Sequence, residues 1–142
     1  MDLIVFSVGN NRYAIDIENV QRIIQAVELT TIPNAHPFID GMMSYEDSVI
    51  KVLNFRKLTN MEPHEDESKS IEDSTLKFLF YDNGDEKFAI KVDSIDDISH
   101  VEKSEFMTGD EDKNTSEFLT LSGVIDIDSV LINVIKTIKL PS

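Results

Sequence analysis

Residues 13–20 read YAIDIENV and residues 88–95 read FAIKVDSI, one pattern returning 75 positions along the chain. In the first copy Tyr13, Ile15 and Ile17 alternate with Ala14, Asp16 and Glu18, the period of two of a half-buried strand. Each copy follows an apolar stretch and a tight turn. LIVFSV (3–8) runs into GNNR, and LKFLFY (76–81) runs into DNGDEK. Asn83-Gly84 reaches positive φ at little cost and marks a hairpin tip; Gly9 with Asn10 and Asn11 does similar work in the first copy. Both copies read as hairpins.

After Val20 the rhythm changes. Val20, Ile23, Ile24 and Val27 fall at the spacing of one helical face. The spacing predicts a short helix near Ile17–Val27, and the repeat places its counterpart near Val92–His100. Arg22 stands among these apolar positions, as a solvated charge, a catalytic group or half of a recognition pair.

A second echo follows. GMMSYEDSVIKVLNFRKL (41–58) matches GVIDIDSVLINVIKTIKL (123–140) at a shift of 82, each a strand, an acidic turn and a strand. The seven extra residues of that shift are a longer connection in the second half. Residues 1–60 and 75–142 therefore each read hairpin, variable segment, hairpin. Short strands at this density, with Gly and Asn turns and little helix, predict an all-β fold of two small barrels of about five strands each. Strands are open to exchange between the halves. Between them, TNMEPHEDESKSIEDS (59–74) holds six acids and one Lys, a solvated linker with little to bury. The counterpart excursion EKSEFMTGDEDKNTSE (102–117) has only Phe106 and Met107 to anchor it.

The chain has 142 residues, 41% of them hydrophobic, enough to bury a real core. It has no cysteine, which removes disulfides, thiolate nucleophiles and zinc–cysteine sites and fits a reducing compartment. The net charge is −14. Such a surface repels phosphate backbones, and no basic patch interleaved with aromatics offsets it, so no nucleic-acid partner is expected. No signal peptide and no membrane-spanning run are expected from the sequence, and the expected location is cytoplasmic, without membrane insertion.

Candidates for chemistry are thin. His36, His64 and His100 lie far apart, with none at ligand spacing from another. Asp110-x-Asp112-x-Asn114 begins like a calcium loop but lacks the sixth-place glycine, and its twelfth place is Leu121. Asp126 and Asp128 flank Ile127 in what reads as a solvated turn. No phosphate-cradling glycine loop and no nucleophile elbow occur. No cofactor, metal or catalytic residue is expected: the residues describe a binding module rather than an enzyme.

With the repeat laid out, the chain resembles the CheW-like adaptor domain of bacterial chemotaxis over nearly its whole length. The resemblance rests on Phe6-x-x-Gly9 with Tyr13-Ala-Ile, Val20-x-x-Ile23, Pro33-x-Ala35, Phe38-Ile39-x-Gly41, the strand from Val49 to Arg56, and Val92-Asp93-Ser94-Ile95. It implies a pair of intertwined five-stranded SH3-like barrels with short helical turns and no active site. It also implies two partners, the regulatory domain of a CheA-type histidine kinase and the cytoplasmic hairpin tip of chemoreceptors. A helical hairpin docks by laying an apolar stripe into a groove. Val20, Ile23, Met42 and Met43 could floor such a groove; the alternative is that all four are core.

The chain departs from the family pattern where partners are expected. Ser44-Tyr45-Glu46-Asp47 stands where the family carries Asn-Leu-Arg-Gly, and Arg22 stands where it carries Glu. Lys51 and Asn54 replace Pro and Asp, Ala89 replaces a glycine, and His36 replaces Pro. The reversal at Arg22 and Glu46 together implies an ion pair of inverted polarity on the receptor-facing part of the first barrel. The expected partner-binding set is thus Val20, Arg22, Ile23, Met42, Met43, Ser44, Tyr45 and Glu46. Two other functions compete: a small-molecule binder or enzyme using the seam between barrels, and an adaptor that pads an array without binding receptors.

Overall fold

In a computed structural model, which describes residues 1–59, 75–102, 106 and 113–141, the alternating stretches form strands. The opening hairpin is β1 (Asp2–Val8) and β2 (Asn11–Asp16), turned at Gly9, whose φ is +61°. A single 3-10 turn, Ile17–Asn19, leads into β3 (Val20–Gln25). Next come β4 (Ile39–Tyr45), β5 (Ser48–Asn54) and one helical turn, α1 (Phe55–Leu58). The second half supplies β6 (Lys77–Asp82), β7 (Lys87–Val92), β8 (Ser94–His100), β9 (Lys113–Ser116), β10 (Leu119–Ile127) and β11 (Val130–Ile138).

These strands make two sheets, ordered β3-β6-β7-β5-β4 and β8-β1-β2-β11-β10-β9. Set β9 aside and the two orders are the same list under the sequence repeat. β6 pairs β3 as β1 pairs β8, and the parallel pair β5–β7 answers the parallel pair β11–β2. Each half's opening hairpin therefore lies in the sheet that holds the other half's closing hairpin. The fold is all-β and SH3-like. Among the described residues the ladders do not run full circle: an isolated bridge between Thr30 and Met42, two hydrogen bonds of 2.9 Å, spans the gap beside β4.

The expected short helices near Ile17–Val27 and Val92–His100 are corrected: only the turn at 17–19 is helical, while β3 takes Val20–Gln25 and β8 takes Ser94–His100. The cause of the misreading is a bulge. Val20 faces Tyr81 while Arg22 faces Phe80, so one extra residue sits between them. That insertion brings Val20 and Ile23 to the same sheet face at a spacing of three, which imitates a helix. The repeat keeps the device, with Ile95 opposite Phe6 and Asp97 opposite Val5.

Period-two alternation sorts the core into three clusters. Leu79, Tyr81, Phe88, Ile90 and Leu53 face inward between the sheets and join Ile4, Phe6, Tyr13, Ile15 and Phe55. Phe6 meets Phe55 edge-on at 5.4 Å, and Tyr13 meets it at 4.8 Å. The opposite face of the five-stranded sheet carries Phe78, Phe80, Ala89 and Val52 with Ala26. Leu3, Val5, Ala14, Ile125, Ile132 and Val134 do the same in the six-stranded sheet, with Phe106 packed against them. Truncating any of the central aromatics to Ala should cost about 3–5 kcal/mol.

Asn83-Gly84 lies between β6 and β7 as expected, in a four-residue connection where Gly84 takes φ +97° and Asn83 Oδ1 accepts the N–H groups of Asp85 and Glu86. The two-residue tips with both residues at positive φ are Glu46-Asp47 and Asp128-Ser129. Residues 60–74, which include His64, Met107, and the calcium-like stretch at Asp110 and Asp112 all lie outside the described residues.

Candidate functional site

β3 and β4 are the two edges of the five-stranded sheet. The curl of the sheet brings them together, and the tip after β4 reaches Arg22. The Arg22 guanidinium sits 5.3 Å from the centre of the Tyr45 ring, and its Nη2 is 3.7 Å from Glu46 Oε1. The implied pair of Arg22 and Glu46 is therefore present as a loose ion pair, beyond hydrogen-bond distance. Its side chains are 51% and 70% exposed, so water screens it. Beneath Arg22, the Tyr45 ring stands edge-on to Phe80 at 4.9 Å. The cation thus lies on an aromatic stack that belongs to the core below.

Alternation then separates the remaining residues of the expected set. Val20 packs against the central core, while Met43 and Tyr45 pack against the cluster inside the five-stranded sheet. Met42 points the other way from Met43, is half-buried, and carries the backbone bridge to Thr30. Ser44 and Ile23 are exposed. A groove floored by all four of Val20, Ile23, Met42 and Met43 does not follow from this placement; Ile23 is the apolar side chain of the four that stands open to solvent.

Two exposed apolar residues escaped the sequence reading. Val49 is 65% exposed at the start of β5, opposite Ser44, and Val27 is exposed just beyond β3. The signal was available in the alternation of Val49 with the inward Ile50. The largely apolar run VIKVL (49–53), interrupted at Lys51, hid it.

Elsewhere the polar groups serve structure. His36 Nδ1 accepts the Phe38 N–H, and its ring packs edge-on against Phe38 at 4.7 Å and Phe118 at 5.4 Å. Asp126 accepts the Ser129 N–H at 2.9 Å and so braces the Asp128-Ser129 tip. Asp40 gathers Lys91, Lys57 and Asn54 where β4, β5, α1 and β7 meet. Tyr13 is pushed up from its ordinary value by burial, against a hydrogen bond with Thr59 that lowers it. Among the described residues, no three His, Cys, Asp or Glu stand together as metal ligands, and no helix is long and apolar enough to cross a membrane.

The model of the CheW-like domain family matches residues 2–140. A chemotaxis protein CheW of Thermotoga maritima is 24% identical over 57 residues, which span 40% of this chain and 38% of that protein. The crystal structure of scaffolding protein TtCheW from Thermoanaerobacter tengcongensis superposes with a TM-score of 0.80 at 20% identity, covering 95% of this chain and 88% of that one.

Proposed function

The chain belongs to the family of CheW-like domains, and we propose that it is a non-catalytic adaptor of bacterial chemosensory signalling. In this reading it couples the cytoplasmic tip of a chemoreceptor to the regulatory domain of a CheA-type histidine kinase. It works in the cytoplasm and reaches membrane arrays through its partners. The observation that supports it most directly is the β3–β4 edge. There Arg22 lies on the Tyr45 ring and pairs loosely with Glu46, while Ile23 stands open to solvent on the other face of β3. A small curled sheet fills its own interior with side chains, so a ligand must use such outer edges.

The receptor-facing set in this proposal is Arg22, Ile23, Met42, Ser44, Tyr45 and Glu46, with Val20 and Met43 supporting it from the core. An exposed apolar residue on one face of an edge strand, with paired charges on the other, suits an amphipathic helix laid along that edge, whose apolar stripe covers Ile23 while its flanking polar residues reach the pair. Purified chain, tested against the cognate kinase regulatory domain and a receptor-tip fragment, should bind both at tens of micromolar or tighter, a range that includes weak signalling contacts. Ile23→Asp should reduce receptor binding while leaving kinase binding intact. No interaction with either partner at those concentrations would end the adaptor reading.

A further inference from the structure

We propose that His100 is a pH-sensitive clasp, which holds the end of edge strand β8 to the start of β1 while its ring carries both protons. His100 is the last residue of β8 and stands opposite Asp2 in the β1–β8 ladder. Its Nδ1 is 2.7 Å from Asp2 Oδ1, and its Nε2 is 2.9 Å from Glu102 Oε1. An ionised carboxylate only accepts hydrogen bonds, so both ring nitrogens must donate, and only the imidazolium does that. A neutral ring can donate to one carboxylate and turns a lone pair toward the other.

The surroundings favour the charged ring. Asp2 faces it from β1, Asp16 and Glu18 from the end of β2 and the following turn, and Glu102 from beyond β8. Asp2, Asp16 and Glu18 line one cleft of about 330 Å³ with Met1, Ile17 and His100. The amino group of Met1 is the opposing charge. The hydrogen bond with Asp2, then that with Glu102, raises His100 above its ordinary value, and the same contact lowers Glu102. The signs follow by linkage. The raised histidine contributes fully below its ordinary value of 6.5, and that contribution is lost as pH rises through the folded value. The lowered Glu102 contributes above its ordinary value of 4.5 and is lost as pH falls through its own folded value. The clasp is thus closed between the lowered value of Glu102 and the raised value of His100, and slackens as pH rises through the latter, which lies above 6.5.

The consequence is local to the sheet edge. Just past the clasp the Val101 N–H donates to Met1 O at 2.9 Å, and β8 carries the exposed Ile98. Slackening frays a strand end that has neighbours on one side only.

The test is an NMR pH titration of the intact protein, read at the His100 ring and at the Val101 amide. The ring midpoint should lie above 6.5, and Asp2→Asn should move it down. Corrected for intrinsic exchange, Val101 protection should fall several-fold as pH crosses that midpoint, and should stay flat in His100→Gln. All three side chains are more than half exposed, so these variants keep the fold. A ring midpoint at the ordinary value overturns the proposal. So does a Val101 profile that is the same in wild type and His100→Gln.

Discussion

The Arg56 guanidinium donates to Asp93 Oδ2 across the join between the two halves of the chain. Arg56 comes from α1, at the end of the first half, and its side chain is 7% exposed; Asp93 is the residue between β7 and β8. The same carboxylate oxygen accepts the Gly9 N–H at 2.7 Å, and the Asp93 N–H donates to Ser7 O at 3.0 Å. The Asp93 carbonyl in turn accepts the Thr75 hydroxyl at 2.8 Å. One aspartate thus fixes the first hairpin turn, the end of the first half and the start of the second.

Two substitutions test this knot. Asp93→Ala takes a carboxylate away from a buried guanidinium and from the Gly9 N–H, and should cost on the order of 2–4 kcal/mol. Arg56→Met leaves behind an acid that is about one-third exposed and already holds a backbone N–H, so it should cost roughly half as much. The double variant should cost less than the sum, because the two residues share one interaction. Urea melts of the four proteins measure this. Equal or additive losses would show that the pair is not what joins the halves.

Gly41 is held both for room and for its φ of +155°, which L side chains rarely adopt. A Cβ there would stand 2.6 Å from Thr30 O and 2.9 Å from Leu29 Cβ, against the bridge that spans the gap beside β4. Gly41→Ala should cost about 1–3 kcal/mol through this overpacking together with the strained φ. It should also speed exchange of the Thr30 and Met42 amides selectively. Gly84→Ala is the contrast: nothing stands within 4 Å, and its cost of roughly 1 kcal/mol comes from φ +97° alone. Gly84→Ala should leave the Thr30 amide untouched.

The acidic stretch 60–74 should be replaceable. It has six acids, one Lys and little apolar surface to bury. The residues on either side are tied down independently of it. The Thr59 hydroxyl donates to Phe55 O and Arg56 O at 3.1 Å each, and Thr75 donates to Asp93. A Gly/Ser segment of equal length should leave the melting temperature nearly unchanged, since equal length keeps the loop-closure entropy similar. A large drop would mean that the acids make stabilising contacts.

The repeat was legible because each half states it twice, in the YAIDIENV and FAIKVDSI strands and again in the hairpins that begin at Gly41 and Gly123. Alternation gave strand faces where apolar and polar residues took turns, as at Tyr13, Ile15 and Ile17, which share the central core. It failed at Gln21 and Asp96, where a bulge adds one residue and turns a period of two into an apparent helical spacing. The site was legible in part. That Arg22 and Glu46 belong together came from the resemblance, since the curl that joins two sheet edges leaves no local mark in sequence. That Met42 and Met43 face opposite ways follows from strand geometry.

The last prediction concerns Arg22. Guanidinium, Tyr45 ring and Glu46 carboxylate form one contact across the edges of the five-stranded sheet, at 5.3 and 3.7 Å. An exposed ion pair contributes about 0–1 kcal/mol, and an exposed cation–π contact adds roughly 0.5–1. Arg22→Glu sets two carboxylates against each other beside Tyr45 and should lose both contributions, close to 1 kcal/mol in all. Glu46→Arg should cost less, because Arg22 keeps the ring. Arg22→Glu with Glu46→Arg restores opposite signs, and its stability should return to within about 0.5 kcal/mol of the parent. Binding separates structure from recognition. If the pair selects a partner, the swapped protein should be as stable as the parent yet prefer receptor tips that suit the opposite polarity, because a wrong sign at a contact costs more than a right one gains. Stability cycles with each receptor fragment present and absent distinguish the cases. Additive effects in both stability and binding would mean that Arg22 and Glu46 are two independent surface charges.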